Sequence, residues 1–291
     1  MQEAGHQVYV VSTGDKKDEY KFNLKELPLP PGISHKNITY TIGLGTKTKV
    51  NDLIYTHYRD SFFNHFTHIH CPSEFIANEL KKHGYTAKLH VISNGVDDEF
   101  KYYGKEKLPE FKDKFVISMI GRYSNEKRQD VLIDAISKSK YSDKIQLVLA
   151  GRGPKEAKYR KLGEKLVNPP VMKFYNTEDL INLLKSTDLY VHSADAEIEA
   201  ISCIEAFACG NVPIIANSPN SATKQFALVK QSLFEAGNST DLANKIDFWI
   251  ENENYRKEME LKYSQHANNY RLKDSIKKME EMFEDAIREY K

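Results

Sequence analysis

Cysteine is scarce in this sequence. The 291 residues hold three, Cys71, Cys203 and Cys209, and no CxxC pair. That excludes a disulfide framework and a cysteine-rich zinc module, and predicts a reduced, cytoplasmic protein. Long apolar runs are missing: stretches such as "FVISMI" and "VPIIA" are far too short to cross a bilayer. The opening "MQEAGHQVYVV" has neither the basic region nor the apolar core of a signal peptide. Charge of one sign is also missing. The formal net charge is +1, so no global basic field points to nucleic acid as a partner. There is no GxSxG, Walker loop or HExxH. The absence of DxD leaves a carboxylate-held Mg²⁺ on a diphosphate without support.

What is present is a regular alternation. From residue 113, "FVISMIG", "IQLVLAG", "VMKFY", "DLYVHS" and "VPIIA" read as strands. The segments between and after them, "NEKRQDVLIDAISKS", "KEAKYRKLGEKL", "TEDLINLLKS", "AISCIEAFACG" and "STDLANKIDFWIEN", read as helices. Thr177 is the expected cap of the third of these. Short links between strands and helices predict an α/β fold with a parallel sheet covered on both faces. The first hundred residues repeat this style less completely. "HQVYVV", "HIHC" and "LHVIS" are strand candidates there, and "SEFIANELKKHG" is a helix with Ser73 as its cap. The connector "FKYYGKEKLPEFKDK" suggests a boundary, giving lobes over 1–108 and 109–267 and a final amphipathic helix over 268–291.

The residues able to do chemistry cluster at expected strand ends, where open parallel sheets bind ligands. After the first strand, Gly121 permits close backbone approach, and Arg122 and Lys127 flank a helix start, an arrangement suited to a diphosphate. Gly151 and Gly153 follow the second strand. Glu197 falls after "DLYVHS", just before a helix, and Glu205 lies inside that helix among Ile201, Ile204 and Ala208. Helix geometry alone leaves two readings of Glu205 open. It favours an exposed acid on the outer face over a carboxylate satisfied by vicinal ribose hydroxyls. Asn94-Gly95 is a strong turn signal, either a plain turn or a ligand-facing loop. His68 and His70 share a strand face, but no nearby pattern completes a metal site, which favours histidines satisfied within the fold.

"GRYSNEKRQDVLIDAI", "LVLAGRGP", "LINLLKSTDLYVHSA" and "EIEAISCIEAFACGNVPII", in that order, resemble family 4 of the retaining glycosyltransferases. Glu197 and Glu205 stand as in that family's paired-glutamate motif. "GHQVYVVS", "CPSEFIANELKKHGY" and "VISNGVD" are similar to pieces of its first lobe. The resemblance implies a GT-B architecture of two Rossmann-like lobes with parallel sheets. It implies transfer of a hexose, with retention and without a metal or other cofactor, from a nucleotide sugar, UDP-linked, to an acceptor. Arg122 and Lys127 would bind the diphosphate and stabilise it as it leaves. Glu197 would contact the transferred sugar, and Glu205 the ribose. Gly121, Gly151 and the loop at Tyr175 and Asn176 would lie against the donor.

The tract "SPNSATKQFALVKQSLF" is similar to bacterial enzymes that glucosylate diacylglycerol. It implies a lipid acceptor and a peripheral position at the inner face of an anionic membrane, with Lys81, Lys82, Lys88, Lys101, Lys105 and Lys107 on the acceptor side. Two departures from the pattern stand out. Ile198 and Glu199 follow the first glutamate where the family has a glycine. The family's opening strand, glycine-rich loop and helix have no counterpart before "GHQV", so the N-terminal lobe is expected to be incomplete. His35 is the nearest candidate for the first-lobe histidine. The alternatives are a catalytically reduced donor-binding protein and, less favoured, a nucleotide-sugar epimerase of the same architecture. A homodimer could cover the exposed strand edge.

Overall fold

The computed structural model describes residues 9–12, 23–26, 56, 59–60 and 63–290. His35 lies outside them, as does most of "KVNDLIYTHYRDSFFNHF", a segment whose pattern reads as a helix. By packing, the chain divides into two units. The first comprises Met1–Cys71, Ala77–Ile92 and Ile276–Lys291, and the second Pro72–Ile76 and Ser93–Ser275.

In the first unit, β1 (Tyr9–Ser12) pairs in parallel with β2 (Asn23–Glu26). β3 (His68–Cys71) pairs in parallel with β4 (Lys88–Val91), and helix α1 (Glu74–Lys82) connects them. Ser73 stands before α1 and its hydroxyl accepts from the Ile76 N–H at 3.3 Å, as its position in the sequence implies. His70 is satisfied within the fold, whereas His68 Nε2 is buried without a hydrogen bond among the described residues and lies 3.4 Å from Glu289 Oε2. His70 Nε2 lies 2.7 Å from the Ile92 carbonyl, and His68 Nδ1 lies 3.0 Å from Thr67 Oγ1. Lys88 reaches Asp285 and Glu289.

The second unit is built on one parallel sheet. Its strands are β5 (Phe115–Ile120), β6 (Ile145–Ala150), β7 (Val171–Lys173), β8 (Leu189–His192), β10 (Val212–Asn217) and β12 (Leu233–Glu235). They lie in the order β12-β10-β8-β5-β6-β7. The short pair β9 (Ala196–Glu197) and β11 (Asn220–Ser221) stands apart from it. The helices are α2 (Gln129–Lys138), α3 (Glu156–Gly163), α4 (Thr177–Ser186), α5 (Ile201–Ala208), α6 (Ser239–Glu251) and α7 (Glu253–His266). A last helix, α8, runs over Leu272–Tyr290 and belongs to the first unit from Ile276 onward. β5, β6, β8 and β10 are predominantly apolar and almost wholly buried, as strands covered by helices on both faces are. Their side chains join Leu132, Ile136, Phe207, Ile246 and Trp249 in one core. Pro213 fits inside β10 because β12 pairs with that strand only from Ile215 onward.

The chain order reverses beside β5: β6 lies on one side of it and β8 on the other. This crossover places the loops after β5, β6 and β8 at one edge of the sheet, the position at which such folds bind ligands.

The connector at 101–108 is tied down rather than free. The Lys105 stem is exposed, but its ammonium donates to the Thr187 carbonyl at 2.9 Å and to Asn211 Oδ1 at 2.7 Å. Burial of that ammonium lowers its pKa to about 8. Lys107 pairs with Asp188 and donates to two backbone carbonyls.

Candidate functional site

Glycines let the first two loops meet. A Cβ on Gly151 would come within 2.1 Å of the Gly121 carbonyl oxygen, and one on Gly153 within 2.5 Å of the Tyr123 carbonyl oxygen. Neither backbone atom can yield cheaply, so only glycine fits at these two positions. The Tyr123 hydroxyl donates to the Leu149 carbonyl at 2.6 Å and fixes the turn from below. Beyond the strand ends lies a cleft of about 390 Å³. Gly121, Arg122, Gly151, Arg152, Phe174 and Tyr175 are among its walls. Arg152 stacks over Phe174 at 4.9 Å and Lys173 over Tyr175 at 4.5 Å. Asn176 is not among the lining residues. It caps α4 in place of the expected Thr177, its side-chain oxygen accepting from the Asp179 N–H at 2.8 Å.

Arg122 is exposed and its guanidinium has no side-chain partner among the described residues. Lys127 is placed differently. Its Cδ and Cε would both lie 3.6 Å from a Cβ on Gly121, so the stem passes over that glycine. Its ammonium pairs with the carboxylate of Glu197, at the end of β9. The backbone after it is gripped firmly. Arg128 adopts the left-handed conformation, φ 53°, and donates to Asp195 at 2.8 Å. The Ser193 hydroxyl reaches the carbonyls of Lys127 and Arg128 at 3.0 and 2.9 Å.

Sequence patterns do not single out His192. It ends β8 and is completely buried, with Nε2 3.0 Å from Glu197 Oε1 and Nδ1 3.2 Å from the Tyr190 hydroxyl. Burial opposes ionisation of Glu197, but the His192 hydrogen bond and the Lys127 ammonium outweigh it and hold the carboxyl at about 2. Burial also pushes His192 below its usual value, against the pull of Glu197. His192 is therefore neutral near pH 7 and donates Nε2–H to Glu197, and the positive charge of the group belongs to Lys127.

These shifts predict acid lability. The depressed Glu197 contributes stability that is complete above its unfolded value of 4.5 and is lost as pH falls toward 2. His192 acts in the same direction, because below 6.5 the unfolded chain takes up a proton that the buried ring resists. Calorimetric scans should show the midpoint falling steadily as pH is lowered from about 7 to about 4. His192→Gln should lose the part of that fall nearest pH 6, and an unchanged profile in this variant would contradict the assignment.

Glu205 sits on α5, half-buried, with no hydrogen bond or ion pair to its carboxylate among the described residues. Burial raises its pKa. Burial pushes the Tyr190 hydroxyl well above its usual value, and the negative charges of Glu197 and Glu205 act in the same direction. Glu199, by contrast, is fully engaged: its carboxylate accepts from the backbone and side chain of Asn94. The Asn94-Gly95 turn is thus a structural contact. Among the described residues no three His, Cys, Asp or Glu side chains converge as a metal site, and no helix is long and apolar enough to cross a membrane.

Residues 104–267, more than half of the chain, match the family described as glycosyl transferases group 1. Residues 45–100 match glycosyltransferase family 4. No match was found among curated proteins. Among solved structures, the catalytic domain of the cholesterol-alpha-glucosyltransferase from Helicobacter pylori is 51% identical, with a TM-score of 0.52. The alignment covers 54% of this chain and 98% of that one. The Alr3699/HepE protein of Anabaena, in complex with UDP and glucose, gives a TM-score of 0.70 at 20% identity, over 82% of this chain and 68% of that one. A glycosyltransferase from Rickettsia africae gives 0.72 at 17% identity, over 98% and 92%. The expected α/β fold of the GT-B glycosyltransferases is therefore the observed one. With its residues 104–267 inside the family and a 51%-identical glucosyltransferase among its relatives, the chain belongs to the group 1 glycosyl transferases.

Proposed function

We propose that this protein transfers glucose from UDP-glucose to the hydroxyl of a lipid, with retention at the anomeric carbon. The observation that carries the reading is the pairing of Lys127 with Glu197 at the sheet edge where Arg122 lines a cleft. A departing diphosphate gains negative charge in the transition state. Arg122 and Lys127 supply fixed positive charge there, in the role a metal ion plays in other transferases. Glu197, ionised at neutral pH and held by His192, is positioned to accept from the hydroxyls of the transferred sugar. The 51%-identical relative is named as an alpha-glucosyltransferase of cholesterol, which supports glucose, a lipid hydroxyl and an α product. It favours a sterol over the diacylglycerol suggested by "SPNSATKQFALVKQSLF".

Glu205 is assigned to the ribose hydroxyls because its half-buried carboxylate has no protein partner among the described residues. Glu205→Gln should weaken binding of UDP more than that of its 2′,3′-dideoxy analogue. Equal losses in calorimetry would remove the ribose contact.

A lipid acceptor requires the protein to work at a membrane surface. Four of the six lysines contribute little to that attraction, while Lys81 and Lys101 are exposed. Lys82 is paired with Glu79, Lys88 with Asp285 and Glu289, and the ammonium groups of Lys105 and Lys107 are turned into the fold. Each free lysine would add on the order of 1 kcal/mol near an anionic bilayer. The expected outcome is transfer of labelled glucose to cholesterol-containing vesicles at similar rates whether the other lipids are anionic or neutral. UDP binding with no transfer to cholesterol or diacylglycerol would instead support a donor-binding protein without turnover.

A further inference from the structure

The turn that begins at Glu197 is held at three consecutive residues by four other positions of the chain. Lys127 and His192 hold the Glu197 carboxylate. The Ile198 carbonyl accepts from the Ser73 hydroxyl at 2.6 Å. The Glu199 carboxylate accepts from the Asn94 backbone N–H at 3.0 and 3.2 Å and from the Asn94 side-chain amide at 2.6 Å. All of these residues lie in Pro72–Ile76 or Ser93–Ser275, which pack as one unit.

Glu199 is an unusual residue to find in that place. It is 1% exposed, and no lysine, arginine or histidine pairs with it among the described residues. A buried carboxylate without a counter-ion is costly, and an apolar side chain would fill the same volume more cheaply. What the carboxylate provides is geometry, since two oxygens accept from two N–H groups of one residue. The next residue, Ala200, adopts the left-handed conformation at φ 70°, which a side chain with a Cβ resists. The turn therefore departs from its relaxed shape and depends on its contacts to stay there.

The anchor itself is firm. Gly95 packs so closely that a Cβ on it would lie 2.6 Å from Leu272 Cα. The Val96 N–H donates to the Tyr270 carbonyl at 2.8 Å, and the Leu272 N–H to the Val96 carbonyl at 3.0 Å. Arg271 donates to the Phe100 carbonyl at 2.9 Å. A displacement of Glu199 is thus resisted by the 93–100 segment and by the residues at the start of α8.

We propose that Glu199 is a positioning residue of the donor site: clamped on Asn94, it holds the 197–200 turn so that Glu197 stays on Lys127 and His192. This rests on reading Lys127 and Glu197 as donor-site groups. Glu199 touches no reacting atom. It acts through the peptide units of Ile198 and Glu199, with Ser73 holding the same turn at the Ile198 carbonyl.

The test uses the full chain and three variants, Glu199→Gln, Glu199→Ala and Asn94→Ala, each checked for a cooperative thermal transition. The first readout needs no substrate. Nitrogen NMR of the His192 ring reports its tautomer, which the Glu197 contact fixes as Nε2–H. Asn94→Ala and Glu199→Ala are expected to move the His192 signals toward a mixture of tautomers. Glu199→Gln, which keeps one accepting oxygen and the side-chain volume, is expected to give an intermediate shift and serves if Glu199→Ala does not fold. The second readout is turnover with UDP-glucose and cholesterol, expected to fall roughly 10- to 100-fold, with UDP affinity within about twofold of wild type because Arg122 and the cleft are untouched. His192 signals that stay at their wild-type positions in folded Asn94→Ala and Glu199→Gln would overturn the proposal. A wild-type chain that binds UDP without transferring glucose would count against the proposed function, while the His192 signals would still decide the clamp.

Discussion

Lys127→Ala is expected to lower turnover by roughly 10²- to 10³-fold, the loss seen when one fixed donor is removed from developing negative charge. The same change should destabilise the protein, because it strands the Glu197 carboxylate. Lys127 and Glu197 keep only 18% and 12% of their side-chain surface exposed, so water replaces the missing ammonium poorly. Breaking such a pair costs about 3–5 kcal/mol when it is fully buried, and the lower end applies here. His192 remains as a donor to Glu197 and limits the damage. Pairing Lys127→Met with Glu197→Gln should restore most of the stability, since no charge is then stranded, and none of the turnover. Denaturant titration and steady-state kinetics on the two variants separate the effects. A Lys127→Ala protein with wild-type turnover would remove Lys127 from the chemistry.

Arg122→Ala should behave in the opposite way as regards stability. The guanidinium has no partner within the described residues and the residue is exposed, so the thermal midpoint should not move. UDP binding should weaken by about 1.5–3 kcal/mol, the scale of a hydrogen bond to a charged group, which is roughly 10- to 100-fold in Kd. Arg122→Lys keeps the charge but not the two-pronged donor geometry and should fall between. Calorimetry with UDP checks this directly. A midpoint that drops by several degrees would mean that Arg122 also holds the fold.

Much of this site is legible in the amino-acid sequence. The strand ends at Gly121, Gly151 and Glu197 follow from period and from the βα alternation, which depends on neighbours in sequence. Glu205 is only partly legible: helix geometry alone favours an exposed acid, whereas the residue is half-buried and has no partner among the described residues. Contacts across long separations are not legible. Ser73 and Ile198 are 125 residues apart, and Asn94 and Glu199 are 105 apart. Only the packed topology brings them together. His192 is hidden because a histidine at the end of a buried strand looks like a core residue until its partner is known. Lys105 and Lys107 read as surface charges because lysine is usually exposed, yet their ammonium groups are turned toward carbonyls of the second unit. The cap of α4 falls on Asn176 rather than Thr177 because both residue types cap helices well and adjacent positions compete.

The proposed glucosyl transfer, with retention, at the site where Lys127, Glu197 and His192 meet can be tested directly. The most direct measurement is proton NMR of the glycolipid formed from UDP-glucose and cholesterol-containing vesicles by the full chain, read at the anomeric proton. The expected product is an α-linked glucoside, absent in Lys127→Ala. A β-linked product, or an α product formed equally well without Lys127, would contradict it.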